Sequence, residues 1–200
     1  MVVTSEQIKK LRDETSISVM QCKKALEEAG GDMEKALMLL KKKSGEIAQK
    51  KAERDLKAGI VNAYLHSSGT AGAIIELNSE SDFVAKNPEF KTLSYDIAMH
   101  IVAMNPKYIK REDVNPEELK KIEAMFAEEV EKTGAGKTED IKKKMLEGKI
   151  SAYLAQMTLM EQAYIKNGDQ TIGDLVKMYI QKFGEKIEVA RFVRFSVLEK

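Results

Sequence analysis

The spacing of apolar residues changes along this chain, from three and four apart, to two apart, to three and four again, and finally to two. Ile8 and Leu11 stripe a first short helix that follows Thr4 and Ser5 as candidate caps. Ser18 and Gln21 have the spacing of a capping box, with Cys22, Ala25, Leu26 and Ala29 as the inner face of a second helix. Gly30-Gly31 ends that helix, Asp32 caps a third, and Met33, Ala36, Leu37 and Leu40 give the third its stripe. Three short helices leave little room for a catalytic cleft, so residues 1–43 read as a docking module. Cys22 sits at an apolar position and reads as a small buried hydrophobe. Residues 44–58 are rich in Lys and Glu without a strong apolar stripe, which predicts an exposed, partly helical linker. Lys41-Lys42-Lys43 reads as a solvated face, because acidic residues follow closely and no aromatics interleave.

Alternation then takes over. Ile60, Asn62, Tyr64 and His66 alternate with Val61, Ala63 and Leu65; Ser67-Ser68-Gly69 supplies a turn; Ala71 to Asn78 returns with Ala73, Ile75 and Leu77 on one side. Asn87-Pro88 opens a helix marked by Phe90, Leu93, Ile97, His100, Ile101 and Met104, which ends near Asn105-Pro106. Asn115-Pro116 starts another, and the pattern predicts a helical hairpin over 116–166 with its turn at Thr133 to Thr138. Thr171-Ile172-Gly173-Asp174 opens a last helix that Gly184 closes. Residues 186–198, dense in Val, Phe and Ile, predict a strand that completes the sheet. The fold class is α+β: a three-helix bundle at 1–43, a linker at 44–58, and a body at 59–200 with a three-stranded antiparallel sheet flanked by helices.

The connector from Asn78 to Asn87 carries an acid and a large aromatic between two regular elements. Ser79 or Ser81 can accept bonds from the amides that follow, which puts Asp82 and Phe83 on one capped turn. By residue type alone, Phe83 reads as a core plug and Asp82 as reinforcement of the cap.

Composition narrows the partners. The 200 residues include 33 basic and 32 acidic side chains, so no global field draws the chain to nucleic acid or to an anionic membrane. No stretch approaches a membrane span, and Met1-Val2-Val3-Thr4 lacks the basic flank and apolar run of a secretory signal, so the expected location is the cytoplasm. One cysteine rules out an internal disulfide, and two histidines are too few for a convincing metal site. Gly134-Ala135-Gly136-Lys137-Thr138 resembles the end of a phosphate-binding loop, but Glu131 stands where the first glycine is needed and a helix precedes it. His66, where the first strand meets its turn, has no serine-and-acid or cysteine arrangement around it, and His100 reads as a core-edge histidine. The residues therefore describe an interaction protein with no catalytic residues, metal or cofactor.

Several motifs in order resemble a known family. Leu11-Arg12 and Thr15, Met20-Gln21-Cys22-Lys23-Lys24-Ala25-Leu26-Glu27-Glu28-Ala29, Gly31-Asp32 and Glu34-Lys35-Ala36 are similar to the amino-terminal, UBA-like domain of bacterial elongation factor Ts. Glu76-Leu77-Asn78 with Ser81-Asp82-Phe83-Val84-Ala85-Lys86-Asn87 resembles the family's Thr-Asp-Phe-Val motif. Ile97-Ala98-Met99-His100-Ile101, Leu159-Met160-Glu161-Gln162 and Arg191-Phe192-Val193-Arg194-Phe195 resemble its later signatures. The resemblance implies a guanine-nucleotide exchange factor without covalent chemistry. Its partner would be elongation factor Tu, in the GDP-bound and nucleotide-free forms. It implies docking through Arg12, Val19 and Met20, dislocation of the partner's magnesium by Ser81, Asp82, Phe83 and Val84 with Phe83 as a wedge, and an interface role for His66. Short family members with one sheet subdomain pair as homodimers, some through a cysteine in the last strand. Val193 stands at that place here, which implies a non-covalent homodimer. The chain departs from the pattern at Ser81, usually Thr, at Ser16-Ile17-Ser18, usually Gly-Ala-Gly, and at Val19, often Met. A plain adaptor is the competing class, distinguished by binding that leaves nucleotide release unchanged.

Overall fold

Thr4 caps the first helix reciprocally: its hydroxyl accepts the Gln7 amide at 3.2 Å, and the Gln7 side-chain oxygen accepts the Thr4 amide at 3.0 Å. The computed structural model describes residues 3–197, so Leu198 of the expected last strand lies outside the described residues. Helices α1 (Ser5–Thr15), α2 (Val19–Glu28) and α3 (Met33–Lys50) form the amino-terminal bundle. Ser18 and Asp32 cap α2 and α3 through the amides of Gln21 and Lys35. Leu11, Ile17, Cys22, Leu26, Ala36 and Leu40 are buried. Cys22 behaves as a small hydrophobe there; burial pushes its thiol up, against weaker downward pulls from Thr15 and Arg12.

α3 does not stop where an exposed linker was expected. It runs on to Lys50, with Ser44 buried and bonded to Gln181, and with Ile47 and Ala48 packed on the core. Lys and Glu are good helix formers, and the stripe Leu40, Ser44, Ala48 is too small-sided to register as apolar periodicity. Only residues 51–57 form a non-helical connection to the body.

β1 (Ala58–Leu65) pairs antiparallel with β2 (Ala71–Ser79), from Ala58 opposite Ser79 to Leu65 opposite Gly72. Ala73, Ile75 and Leu77 of β2 are buried, and α5 (Pro88–Met104) packs across that face with Phe90, Leu93, Ile97 and Ile101 inward. A one-turn helix, α4 (Asp82–Lys86), lies between them. Asn87 caps α5 by accepting the Glu89 amide at 2.8 Å, and Pro88 occupies the first turn.

α6 (Pro116–Thr133) and α7 (Glu139–Met157) make the predicted hairpin, but it ends at Met157 rather than at 166. Thr158 bridges to Tyr108, and the Leu159 amide donates to the Tyr108 carbonyl at 2.8 Å. The Gln162 side chain donates to the carbonyls of Met104 and Gln156. These tertiary bonds satisfy backbone groups that another helical turn would have used. A short 3-10 turn follows, then β3 (Ala163–Tyr164) paired with β4 (Asn167–Thr171), a small hairpin that the apolar pattern did not show. His100, read as lying at the core edge, is fully buried against this segment. Its Nε2 bonds Gln162 Oε1 at 3.0 Å, and the Ile165 amide donates to Nδ1 at 3.4 Å.

α8 (Ile172–Phe183) opens on a reciprocal Thr171–Asp174 capping box and closes on Gly184, whose φ of 71° is open to glycine without strain. β5 (Ile187–Ser196) then completes the sheet in the order β1-β2-β5. Glu76 faces Arg191 and Leu77 faces Val189, which leaves Ala190 as an extra residue. This bulge shifts the alternation: Ile187 and Val189 point to the core, while Arg191, Val193 and Phe195 point to the open side. The α+β class and the antiparallel sheet flanked by helices are as the sequence predicts.

Candidate partner-binding surface

α4 has five residues, too few to hold a helix in isolation, so its neighbours must fix it. Ser81 is its N-cap, with Oγ accepting the Val84 amide at 3.5 Å. Val84 and Ala85 are buried at 8% and 4% exposure. A turn that directs positions 84 and 85 inward directs 83 outward at about 100° per residue, and Phe83 is 85% exposed. The core-plug reading is therefore overturned. Asp82 pairs with Lys86 at 2.6 Å, a contact that holds its carboxyl below the usual carboxylate range. Ser81, Asp82 and Phe83 are thus presented on one turn, while Val84 is the inward anchor of that turn.

The turn is held from outside its own segment. Glu185, just past α8, accepts the Ser81 amide at 3.0 Å and the Ser81 hydroxyl at 2.6 Å. Glu80 makes the converse contact, accepting the Lys186 amide at 2.6 Å, and it also pairs with Arg54 at 3.1 Å. Burial pushes the Glu80 carboxyl up, but the Lys186 amide and the Arg54 guanidinium outweigh it and leave the group below its ordinary value. No spacing in the sequence announces this arrangement, because Ser81 and Glu185 stand 104 residues apart and only the β2–β5 pairing brings them together.

Arg12, Val19 and Met20 lie around the α1–α2 corner, all exposed, with Met20 at 74%. Ser16, between them, adopts φ 57°, the left-handed region that glycine enters freely. An open groove of about 490 Å³ runs from Arg12, Ser16 and Ser18 to Glu89 and Lys182, the last two paired at 2.7 Å. Glu89 opens α5 just past the Phe83 turn, so the groove links the docking corner to the element next to the exposed aromatic. His66 is elsewhere. It is exposed at the tip of the β1–β2 hairpin, with Nδ1 bonded to Ser68 Oγ at 2.7 Å. Nine residues of β2 separate that tip from the Ser81 end, a span of roughly 25 Å.

The open side of the sheet is a second exposed apolar area. Val61, Leu65, Ile74, Val193 and Phe195 line it, with Ile74 directly opposite Val193. The signal was present in β1, where Val61, Ala63 and Leu65 are as apolar as the set they alternate with. Among the described residues, no group of three or more His, Cys, Asp or Glu side chains could hold a metal ion, and no helix is long and apolar enough to cross a membrane.

The site is an exposed surface and not a cleft: the helical module presents Val19 and Met20 and the α+β body presents Phe83, large apolar side chains of the kind found where proteins meet macromolecular partners. The model of the family described as Elongation factor TS matches residues 3–199. The chain is 44% identical to the elongation factor Ts of Thermotoga petrophila, with 100% of this chain and 98% of the relative covered. It is 45% identical to that of Alkaliphilus metalliredigens, covering 100% and 91%, and 43% identical to that of Carboxydothermus hydrogenoformans, covering 99% and 90%. The chain belongs to the elongation factor Ts family and is a translation elongation factor.

Proposed function

We propose that this protein is a guanine-nucleotide exchange factor that binds elongation factor Tu in its GDP form, disturbs its magnesium and phosphate site, and promotes GDP release and GTP loading. The observation that carries the reading is Phe83, an aromatic held 85% exposed on a capped turn whose other side is anchored in the core. A wedge needs that combination: a large face free to enter a partner, and a base that does not yield when it does. Magnesium screens the diphosphate and bridges it to its protein, so shifting its ligands removes much of the nucleotide's electrostatic anchorage. Linkage makes the effect reciprocal. A wedge that favours the nucleotide-free shape lowers GDP affinity by the factor by which GDP lowers affinity for the wedge.

In this reading Arg12, Val19 and Met20 dock the amino-terminal module on the partner. Ser81, Asp82 and Phe83 act at the magnesium site, and Val84 acts from within by fixing the turn. His66 contacts the partner from the far end of the sheet. The protein works in the cytoplasm, without covalent chemistry and without contact to nucleic acid or membrane. It forms a non-covalent homodimer through the open sheet face, so that two partners are served by one dimer. Stopped-flow release of a fluorescent GDP analogue from elongation factor Tu tests the function. Acceleration that saturates with this protein is expected, and binding without acceleration would turn the reading to that of an adaptor.

A further inference from the structure

We infer that Glu185 is the positioning residue of the Phe83 turn: its carboxylate, acting with Glu80, clasps the α4 N-cap to the α8–β5 corner and sets where the aromatic stands. The inference rests on the exchange reading above and adds to it a residue outside the segment that would touch the partner.

Two carboxylates from two strand junctions each take the other junction's backbone. Glu185 accepts the Ser81 amide and hydroxyl, and Glu80 accepts the Lys186 amide. Because the Ser81 hydroxyl donates its only proton to Glu185 at 2.6 Å, its lone pairs are left to receive the Val84 amide. The orientation of the N-cap is thus set by the carboxylate and not by the cap alone. Both bonds go to a carboxylate, and the hydroxyl bond at 2.6 Å has the short length of a charge-assisted one. The corner that carries Glu185 is itself fixed. Gly184 ends α8 in the left-handed region, and its carbonyl accepts Lys51 Nζ at 2.6 Å, while Arg54 takes Glu80 and its carbonyl accepts Lys186 Nζ at 3.1 Å. Three chain segments therefore converge behind a one-turn helix. Val84 and Ala85 fix its inward side, and the clasp fixes its start. Force delivered to Phe83 by a partner would pass into this junction.

Glu185→Gln tests the idea because it keeps size and one acceptor. The Ser81 N–H and O–H go to different oxygens of Glu185, so with its oxygen on the N–H the amide turns its NH2 toward the Ser81 hydroxyl, which can no longer donate there and must share its lone pairs between that NH2 and the Val84 amide. The expected result, in a variant whose melting curve shows it folded, is a maximal rate of GDP release at saturating factor lowered about ten-fold, with the half-saturating concentration little changed. A residue that merely stabilises the fold would leave that split unmoved. Ser81→Ala combined with Glu185→Gln is expected to be no slower than the slower single variant, since both remove one clasp. The chain has no tryptophan, so Phe83→Trp supplies a local probe, and adding Glu185→Gln should lower its fluorescence anisotropy. A wild-type maximal rate in Glu185→Gln overturns the inference. If the unaltered protein fails to accelerate release, the exchange reading falls instead, and the clasp then stands or falls on the anisotropy of the Phe83→Trp probe alone.

Discussion

Phe83 separates folding from binding at the level of one side chain. Because it is 85% exposed, truncation to alanine removes little buried area, and the change in folding stability is expected to stay within about 0.5 kcal/mol. Its loss from an interface is expected to matter far more, on the order of 2 kcal/mol in the stabilisation of the exchange complex, or about thirty-fold in release rate. Denaturant unfolding and stopped-flow release on the same Phe83→Ala preparation check both halves, and unchanged release in a folded variant would remove the wedge. His100 is the opposite case, fully buried and without exposure to any partner. Burial pushes its imidazole below its ordinary value of 6.5, against a smaller upward pull from Gln162. Tyr164, Asp96 and Lys166 are the titratable groups nearby, linked to one another through Asp96. The unfolded chain takes up the proton first, so this contribution is complete above the ordinary value, is lost as pH falls from there to the lower folded value, and is flat below it. The loss is at most one proton's worth, about 1.4 kcal/mol per pH unit. Unfolding free energies of wild type and His100→Asn, compared between about pH 7.5 and about pH 5.5, should differ in slope in that sense. Parallel slopes would show that the imidazole takes up its proton as readily in the folded protein as in the unfolded chain.

At the scale of elements, α3 shows what sequence pattern reaches and what it misses. Caps were legible because one residue and its amide partner lie two or three apart: Thr4, Ser18, Asp32, Asn87 and Thr171 all act at helix starts. The β1–β2 hairpin was legible because alternation and a Ser-Ser-Gly turn are local signals. The second half of α3 was not, since its inward side is the buried Ser44 with the half-buried Ile47 and Ala48, and the Ser44 bond to Gln181 of α8 depends on a surface supplied by distant residues. The β3–β4 pair was missed for the same reason, since its position depends on distant residues of α5: the Ile165 amide between the strands donates to His100, and the Tyr164 hydroxyl donates to Asp96. Ser44 allows a measurement of how firmly the amino-terminal module is joined to the body. Its hydroxyl reaches Gln181 inside the α3–α8 contact, so Ser44→Ala leaves a buried amide without that partner. A loss of about 2 kcal/mol in folding stability is expected, read from denaturant midpoints. A loss close to zero would mean that the buried amide finds another partner when the hydroxyl is removed.

At the scale of the whole molecule, the sheet divides the surface into two working sides. One face is covered by α5, and one end of the sheet holds the Phe83 turn, leaving the outer face of β1, β2 and β5 with no element among the described residues upon it. Val61, Leu65, Ile74, Val193 and Phe195 on that face form the kind of contiguous apolar patch that monomers rarely leave open. The Glu76–Arg191 pair at 2.6 Å borders it, which supplies the polar rim expected of an interface. A two-fold interface brings the same patch against itself, and Val193 on the edge strand β5, paired with Ile74 of the central strand, lies within it. A carboxylate there would be carried into the interface of both protomers at once, unpaired. Val193→Glu is therefore expected to give a folded monomer, because the position is 51% exposed in the single chain and tolerates a polar side chain until a second copy covers it. Sedimentation velocity across a concentration series reads the outcome: a dimer for the unaltered chain and a monomer for the variant. A monomer for both would assign the patch to something other than a second copy. Separating the two faces also predicts the kinetics. The Phe83 turn draws its support from Glu185, Glu80 and Arg54 of its own chain, so under the proposed function the monomeric variant should accelerate GDP release from elongation factor Tu at the dimer's rate per protomer. A rate lowered in proportion to dissociation would instead place part of the partner's binding site across the two-fold axis.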